Sequence, residues 1–312
     1  MWRYALKRVM IAFFTVTTIL LVLFLLLELM PGTPFNDEKL TTQQKAVIME
    51  TYGLNKPVLF RFTNYVRLMA KGDFGISYTM EKNRPIADMV GPRLGVSLAI
   101  GFQAVLLGTL IGIILGVIAS LKHNSWMDSL ASVIAVCGVS IPSYVFALAL
   151  AFLLGYKARL FPILYDPSGS VMSSIMPTIS LSMFTIATVS RFLRSEMLDV
   201  LGSDYILLAK AKGVDEGRLI LRHGLRNALI PVITVLGPLV VSLMTGSLVV
   251  EKIFAIPGLG SLFVTAIQVN DYNVVVAVAF IYSVMFIAVM LVVDILYGII
   301  DPRIRLAKGG ER

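Results

Sequence analysis

The sequence predicts an all-α integral membrane protein with six membrane-spanning helices, and three observations carry that prediction. Apolar residues make up 57% of the 312 and charged residues only 15%. Six apolar runs (residues 9–30, 94–120, 129–156, 171–190, 228–250 and 273–293) reach the roughly 20 residues that a helix needs to cross a bilayer core. Five of these runs hold no charged residue, and the first holds only Glu28. The short segments between them that would share one side of the membrane are the basic ones, the pattern expected of cytoplasmic loops.

The first run follows Arg3, Lys7 and Arg8 and resembles a secretory signal at its start. It is too long for a signal core, and it ends at Glu28-Leu-Met-Pro-Gly32 without a small-residue cleavage site, so it reads as a retained helix. With six spans, the amino terminus, Lys122–His123, the segment 191–226 and the tail with Arg303, Arg305, Lys308 and Arg312 all fall in the cytoplasm. Residues 31–93 fall outside despite nine basic residues, because long loops translocate largely regardless of charge. The net charge of +8 therefore reflects topology, and no single basic face suits a nucleic acid.

Residues 31–93 form the largest segment outside the membrane. Residues 43–52 have a helical pattern, and 57–69 interleave apolar side chains with Arg61 and Arg67. The second stretch suits an amphipathic helix on the outer membrane surface or a docking face for an extracellular partner. In the second span Gly108, Gly112 and Gly116 line one helix face, where small residues allow close packing, either within the chain or against a second membrane subunit. Ser140-Ile-Pro-Ser143 in the third span, Pro177 among hydroxyls in the fourth, and Pro231, Gly237-Pro238 and Gly246 in the fifth break the apolar pattern. These spans suit a water-accessible path between helices, although hydroxyls also bond back to their own helix. Residues 253–270 are uncharged but contain Pro257, Gly258 and Gly260. A re-entrant or surface-lying hairpin fits them better than a seventh span, since broken backbone at that depth needs cover. Glu28 and Asp294 lie near span ends, where snorkelling accounts for both, and the lone Cys137 excludes a disulfide within the chain.

The segment 191–231 is charged between apolar runs, with seven basic and five acidic residues. It reads as two short helices. Ser203 or Asp204 can cap the first, which runs over 205–212 and stops at Gly213, a residue suited to the left-handed helix end. Asp215 starts the second, with Glu216 in its first turn where negative charge is favoured. Two helical turns span only about 12 Å, enough for a surface knob, and Ala209 and Ala211 keep that knob slim. Arg218, Arg222 and Arg226 would line one face of the second helix, where anionic lipid and a protein partner are equally served.

Catalytic signatures are missing from the sequence. There is no G-x-x-x-x-G-K-[ST] phosphate loop, no H-E-x-x-H, no G-x-S-x-G and no Cys/His cluster for zinc. A membrane protein that is not an enzyme in its own right is expected.

Tyr205-Ile-Leu-Leu-Ala-Lys-Ala-Lys-Gly213, followed by Arg222-His-Gly-Leu-Arg-Asn-Ala-Leu-Ile-Pro231, resembles the EAA loop of membrane subunits of bacterial ABC importers. Leu207 and Leu208 stand where that loop's glutamate and first alanine would be, as in the peptide branch, while Ala209 and Gly213 match. Leu54-Asn-Lys-Pro57, Gly72-Asp-Phe-Gly-Ile-Ser-Tyr78, Glu251-Lys-Ile-Phe-Ala-Ile-Pro-Gly-Leu-Gly260, Asp271-Tyr272 and Asp301-Pro-Arg-Ile-Arg305 resemble the first of the two permease subunits of oligopeptide and dipeptide importers, in family order.

The resemblance implies the type I ABC importer permease fold, with a cytoplasmic coupling helix and a large extracellular loop after the first helix. It implies four parts: residues 1–30 with the first span, the outer loop 31–93, the core 94–300 and the cytoplasmic tail 301–312. Ser203, Asp204, Tyr205, Leu208, Ala209, Lys210, Ala211, Lys212, Gly213 and Asp215 would form the ATPase-coupling site. The implied partners are a second, homologous permease subunit, two cytoplasmic ABC ATPases, an extracellular peptide-binding protein and membrane lipid. The ATPases would bind ATP and magnesium, and this chain no cofactor. The implied location is the bacterial plasma membrane, with both termini cytoplasmic. Oligopeptide import is the leading expectation, with dipeptides, nickel or another small solute as alternatives. A stand-alone channel or ion-coupled carrier is the alternative from another class, and spans without a central charge count against it.

Overall fold

The computed structural model describes residues 2–29, 43, 47, 50, 55–168, 170–244 and 247–300. They form helices joined by short connections, with one isolated bridge between Ile76 and Pro85. In chain order the helices are α1 (Trp2–Leu29), α2 (Val58–Met69), α3 (Ile86–Leu121), α4 (Trp126–Ser140), α5 (Ser143–Leu150) and α6 (Val171–Leu201). They continue as α7 (Asp204–Ala211), α8 (Glu216–Arg218), α9 (Arg226–Met244), α10 (Leu248–Ile253), α11 (Leu259–Gln268) and α12 (Tyr272–Ile300). Wider π-type turns extend α5 over Ala151–Lys157 and join α8 to α9 over Leu219–Leu225. Most of the 43–52 stretch, the side chains of Glu28 and Asp294, and the tail 301–312 lie outside the described residues.

Among the described residues, four helical stretches are long and apolar enough to cross a bilayer: Ile86–Leu121, Val171–Leu201, Glu216–Ile253 and Tyr272–Val293. The run 129–156, expected as one span, is instead a bent pair, with α4 and the α5 segment meeting at 103°. Proline explains the break. Its ring pushes the preceding residue out of the helical region, and Ile141 is extended at φ −92° and ψ 120°. Pro177, Pro231 and Pro238 stay inside their helices. The expectation of a hairpin over 253–270 meets a helix, α11, of 10 residues. That is about 15 Å long, half of a hydrocarbon core, so α11 makes no seventh crossing by itself.

The chain folds into two compact units: Met1–Val96 with Pro257–Ile287, and Ser97–Ile256 with Ala288–Arg312. In the second, α6 is the buried spine. The glycine stripe of α3 closes against it. A methyl group on Gly108 would lie 2.6 Å from Thr185 Cβ, and one on Gly112 2.7 Å from Val189 Cβ. The stripe therefore packs within the chain. Gly138 of α4 meets α6 as closely, at Met183 O and Ala187 Cβ. The hydroxyls of α6 turn back to their own helix: Ser180 Oγ donates to Met176 O, Ser182 Oγ to Ile179 O and Ser190 Oγ to Ala187 O. Thr178 Oγ1 instead reaches Gln103 Oε1 at 3.0 Å, tying α6 to α3. Ser180, Ser182 and Thr185 are fully buried inside their own subunit. In this arrangement those three side chains line no aqueous path, which corrects the path reading at these positions.

One end of α6 is held by a charge pair. Arg194 Nε donates to Asp128 Oδ1 at 2.6 Å and its Nη2 to Oδ2 at 2.8 Å, a two-point fork suited to a carboxylate. Asn124 N donates to the same oxygen, and His123 Nδ1 lies 3.2 Å from it.

The first unit packs α1, α2, the start of α3, α11 and the start of α12 around Leu20, Phe62, Ile86, Leu262 and Val274. Its polar centre is Asp271, fully buried just before α12. The carboxylate accepts Ser77 Oγ at 2.5 Å and the backbone N–H groups of Tyr78, Thr79 and Met80 at 3.2, 3.0 and 3.1 Å. Four donors replace the water that a buried carboxylate loses. Asn273 Nδ2 donates to Ile76 O, and Tyr65 Oη of α2 donates to Asn273 O. Burial, then the neighbouring Tyr78 and Asp271, push the Tyr65 phenol pKa up, so it keeps the proton that it donates.

Candidate functional site

The charged segment builds a knob from local rules. Leu201 ends α6, Gly202 and Ser203 turn the chain, and α7 runs over Asp204–Ala211, one residue ahead of the stretch read from sequence. Ser203 stands extended at the helix start, and its carbonyl accepts from Ile206 N and Leu207 N. Its hydroxyl does not cap α7, because Oγ donates back to Val200 O at 2.5 Å. Asp204 supplies negative charge in the first turn, as the helix dipole favours.

Gly213 closes the helix in the left-handed conformation, at φ +77°. Val214 N donates to Ala209 O at 3.2 Å and Gly213 N to Lys210 O at 2.9 Å. These are the paired bonds of a Schellman end. Asp215 then caps α8, its Oδ2 accepting Gly217 N and Arg218 N. The first knob helix is therefore closed by backbone geometry without a side-chain cap, and the second is started by the Asp215 carboxylate.

The side chains divide sharply. Ile206 points inward and is 1% exposed, while Tyr205, Leu207 and Leu208 are 44%, 68% and 54% exposed. Lys210, Lys212, Arg218, Arg222 and Arg226 surround them on the surface. The knob leans on the turns at Leu219–Leu225, where Leu219 and Gly224 are buried. Beneath lies a core of Val189, Leu193, Met197, Ala228 and Val232. Asn227 Nδ2 bridges Tyr205 Oη at 3.2 Å and His223 O at 2.9 Å. The wider turns shift the regular four-residue spacing of the three arginines, yet all three remain exposed.

Among the described residues, no group of three or more His, Cys, Asp or Glu side chains could hold a metal. Sequence reasoning found the knob but missed Asp271 with Ser77 and Asp128 with Arg194. These partners lie 194 and 66 positions apart, and no local pattern announces them.

Several helices long and apolar enough to cross a bilayer, joined by a short exposed helix, define the class: a multi-pass helical membrane protein. Residues 108–306 match the model of the binding-protein-dependent transport system inner membrane component, and the chain belongs to that family. It is 42% identical over 306 residues to the dipeptide transport system permease protein DppB of Lactococcus lactis subsp. cremoris, covering 98% of this chain and all of that one. DppB of Bacillus subtilis is 40% identical, covering 99% of this chain and all of its own length. The oligopeptide transport system permease protein OppB of Haemophilus influenzae is 36% identical, covering 98% and 100%.

Two solved structures share the fold. One is an amino acid ABC transporter crystallised with histidines, with a TM-score of 0.53 at 15% identity over 68% of this chain and 94% of that one. The other is the MetNI methionine ABC transporter in an inward-facing form, with a TM-score of 0.54 at 15% identity over 68% and 96%. The chain is thus an integral membrane permease subunit of an ABC importer.

Proposed function

We propose that this chain is one of two homologous permease subunits of an ATP-driven importer of peptides, and that α7 is its coupling helix. The observation that carries this is the knob itself: Tyr205, Leu207 and Leu208 stand exposed on a short helix anchored by Ile206 and closed at Gly213. Exposed leucines on a rigid, solvent-facing helix suit an apolar groove on a partner.

In this reading six spans cross the bacterial plasma membrane: α1, α3, the bent α4–α5 pair, α6, α9 with α10, and α12. Both termini are cytoplasmic and residues 31–93 lie outside. The four-part division at residues 30, 93 and 300 follows from that topology. Ser203, Asp204, Tyr205, Leu208, Ala209, Lys210, Ala211, Lys212, Gly213 and Asp215 form the surface seated on an ATPase subunit. Two such ATPases bind ATP and magnesium. An extracellular binding protein delivers the peptide, and the path runs between the two permeases. ATP-driven approach of the ATPases pulls the knobs together, and because ATP then favours one arrangement of the spans, the membrane opening alternates.

Peptide is the substrate class because both dipeptide and oligopeptide permeases align with essentially the whole chain. The test is uptake of labelled di- and longer peptides by the reconstituted complex. Ala209→Trp or Gly213→Trp leaves the protein in the membrane and abolishes ATP-dependent uptake, because the added bulk unseats α7. Normal uptake by either variant removes the coupling assignment.

A further inference from the structure

The second helix of the chain sits at a revealing height. Phe62 and Tyr65 of α2 pack on Phe24 of α1, with ring centroids 5.8 and 6.4 Å apart. Phe24 lies five residues before the end of α1 at Leu29, about 7.5 Å along the axis. Helical side chains lean toward the amino terminus, so the contact falls inside the apolar run 9–30 and not beyond it. Leu20, Phe24, Phe62 and Met69 belong to one core.

Away from that core, α2 exposes apolar side chains on its flank and on its opposite face. Leu59 is 69% exposed and Phe60 54%. Exposed Leu25, Leu26 and Leu29 of α1 lie at the same end of that helix. Cations flank the apolar pair: Lys56 Nζ stands 5.2 Å from the Phe60 ring centroid, and Arg67 and Lys71 are exposed at the far end of α2.

We propose that α2 is an interfacial helix bedded in the phospholipid leaflet at the carboxy-terminal end of α1. Leu59 and Phe60 rest on the acyl boundary, and Lys56, Arg67 and Lys71 reach the phosphates. Long cationic side chains do this by laying their stems on apolar surface and lifting the charge toward water. A helix at this height beside a spanning helix meets lipid headgroups, and its mixed apolar and basic outer face matches that layer. The inner face of α2 is tied through Tyr65 to the Asp271 cluster. The leaflet therefore bears directly on the element that holds the segment 77–81.

The inference rests on α1 being a span, and its test separates the two. Single cysteines at Leu26, Leu59, Phe60, Asn64 and Lys71, in a Cys137→Ser background, carry spin labels in the full complex in phospholipid vesicles. Collision with oxygen reports lipid, and collision with a nickel chelate reports water. Positions 26, 59, 60 and 64 are expected to favour oxygen, because 64 lies one turn after 60 on the same face, and 71 to favour nickel. Nickel access at 26 overturns the span assignment. Oxygen at 26 with nickel at 59 and 60 overturns the interfacial helix alone. Low collision with both reagents at 59 and 60 also overturns it, showing a protein subunit on that face.

Discussion

The knob at Asp204–Gly213 and the cluster around Asp271 solve opposite problems. The knob is exposed, closed at its helix ends by bonds between residues at most five apart, and leaves apolar side chains uncovered. The Asp271 cluster is buried, joins segments nearly 200 residues apart, and leaves no carboxylate surface open to solvent. One presents apolar side chains outward. The other fixes the shape of a loop with a buried charge, which four donors keep from being ruinous. The difference teaches where each failure appears: in stability for the cluster, in partner engagement for the knob.

Breaking the cluster carries the largest expected effect on the fold. Asp271→Ala strips acceptors from Ser77 Oγ and three N–H groups at once. Each stranded buried donor costs about 1–3 kcal/mol, and relaxation toward water recovers part of it, so a loss of about 3 kcal/mol is expected. The thermal midpoint in detergent should fall, and trypsin should cut faster after the exposed Lys82. An unchanged cleavage rate would show that the loop holds its shape without the carboxylate.

Two smaller changes sharpen the contrast at helix ends. Gly213→Ala meets no atom within 4 Å of its added methyl, so only the left-handed backbone resists it. The cost is about 1 kcal/mol, read as a modest drop in midpoint. The end of α10 has the same paired bonds, Ile256 N to Glu251 O and Ala255 N to Lys252 O, but with Ala255 at φ +52°. Ala255→Gly should stabilise the protein by somewhat less than about 1 kcal/mol, read as a raised midpoint, since glycine relieves the strain but adds freedom to the unfolded chain. A lowered midpoint would mean that the exposed methyl makes a contact worth more than the strain.

The smallest effect on stability belongs to the pair Leu207→Glu and Leu208→Glu. Both side chains are already exposed, and surface changes of this kind stay within about 0.5 kcal/mol. Transport should nevertheless fail, because charge enters the surface proposed to seat on an ATPase. Intact uptake with intact folding would place the coupling contact elsewhere.

This contrast also explains what was legible in the sequence. The knob was readable because its determinants are neighbours: Gly213 ends a helix and Asp215 begins one whatever surrounds them. The apolar spans were readable because bilayer thickness sets their length. The glycine stripe was visible as a close-packing face, but its partner on α6 was not, since Thr185 and Val189 carry no mark of that contact. Ser140-Ile-Pro-Ser143 signalled a break, while the 103° angle depends on packing that the sequence does not display. Asp271 and Arg194 read as ordinary charged residues, because their partners are brought to them only by the fold. The hydroxyls of α6 misled for the same reason: burial, not composition, decided that they bond to their own helix.

The most direct test of the central claim is purification of this chain from its native membrane in mild detergent, with mass spectrometry of what accompanies it. A permease subunit coupled through α7 should bring a second, homologous permease and P-loop ATPases, and should lose the ATPases when Leu207 and Leu208 are both glutamate. Recovery of the chain alone, monodisperse and carrying peptide across vesicles without ATP, would contradict the account.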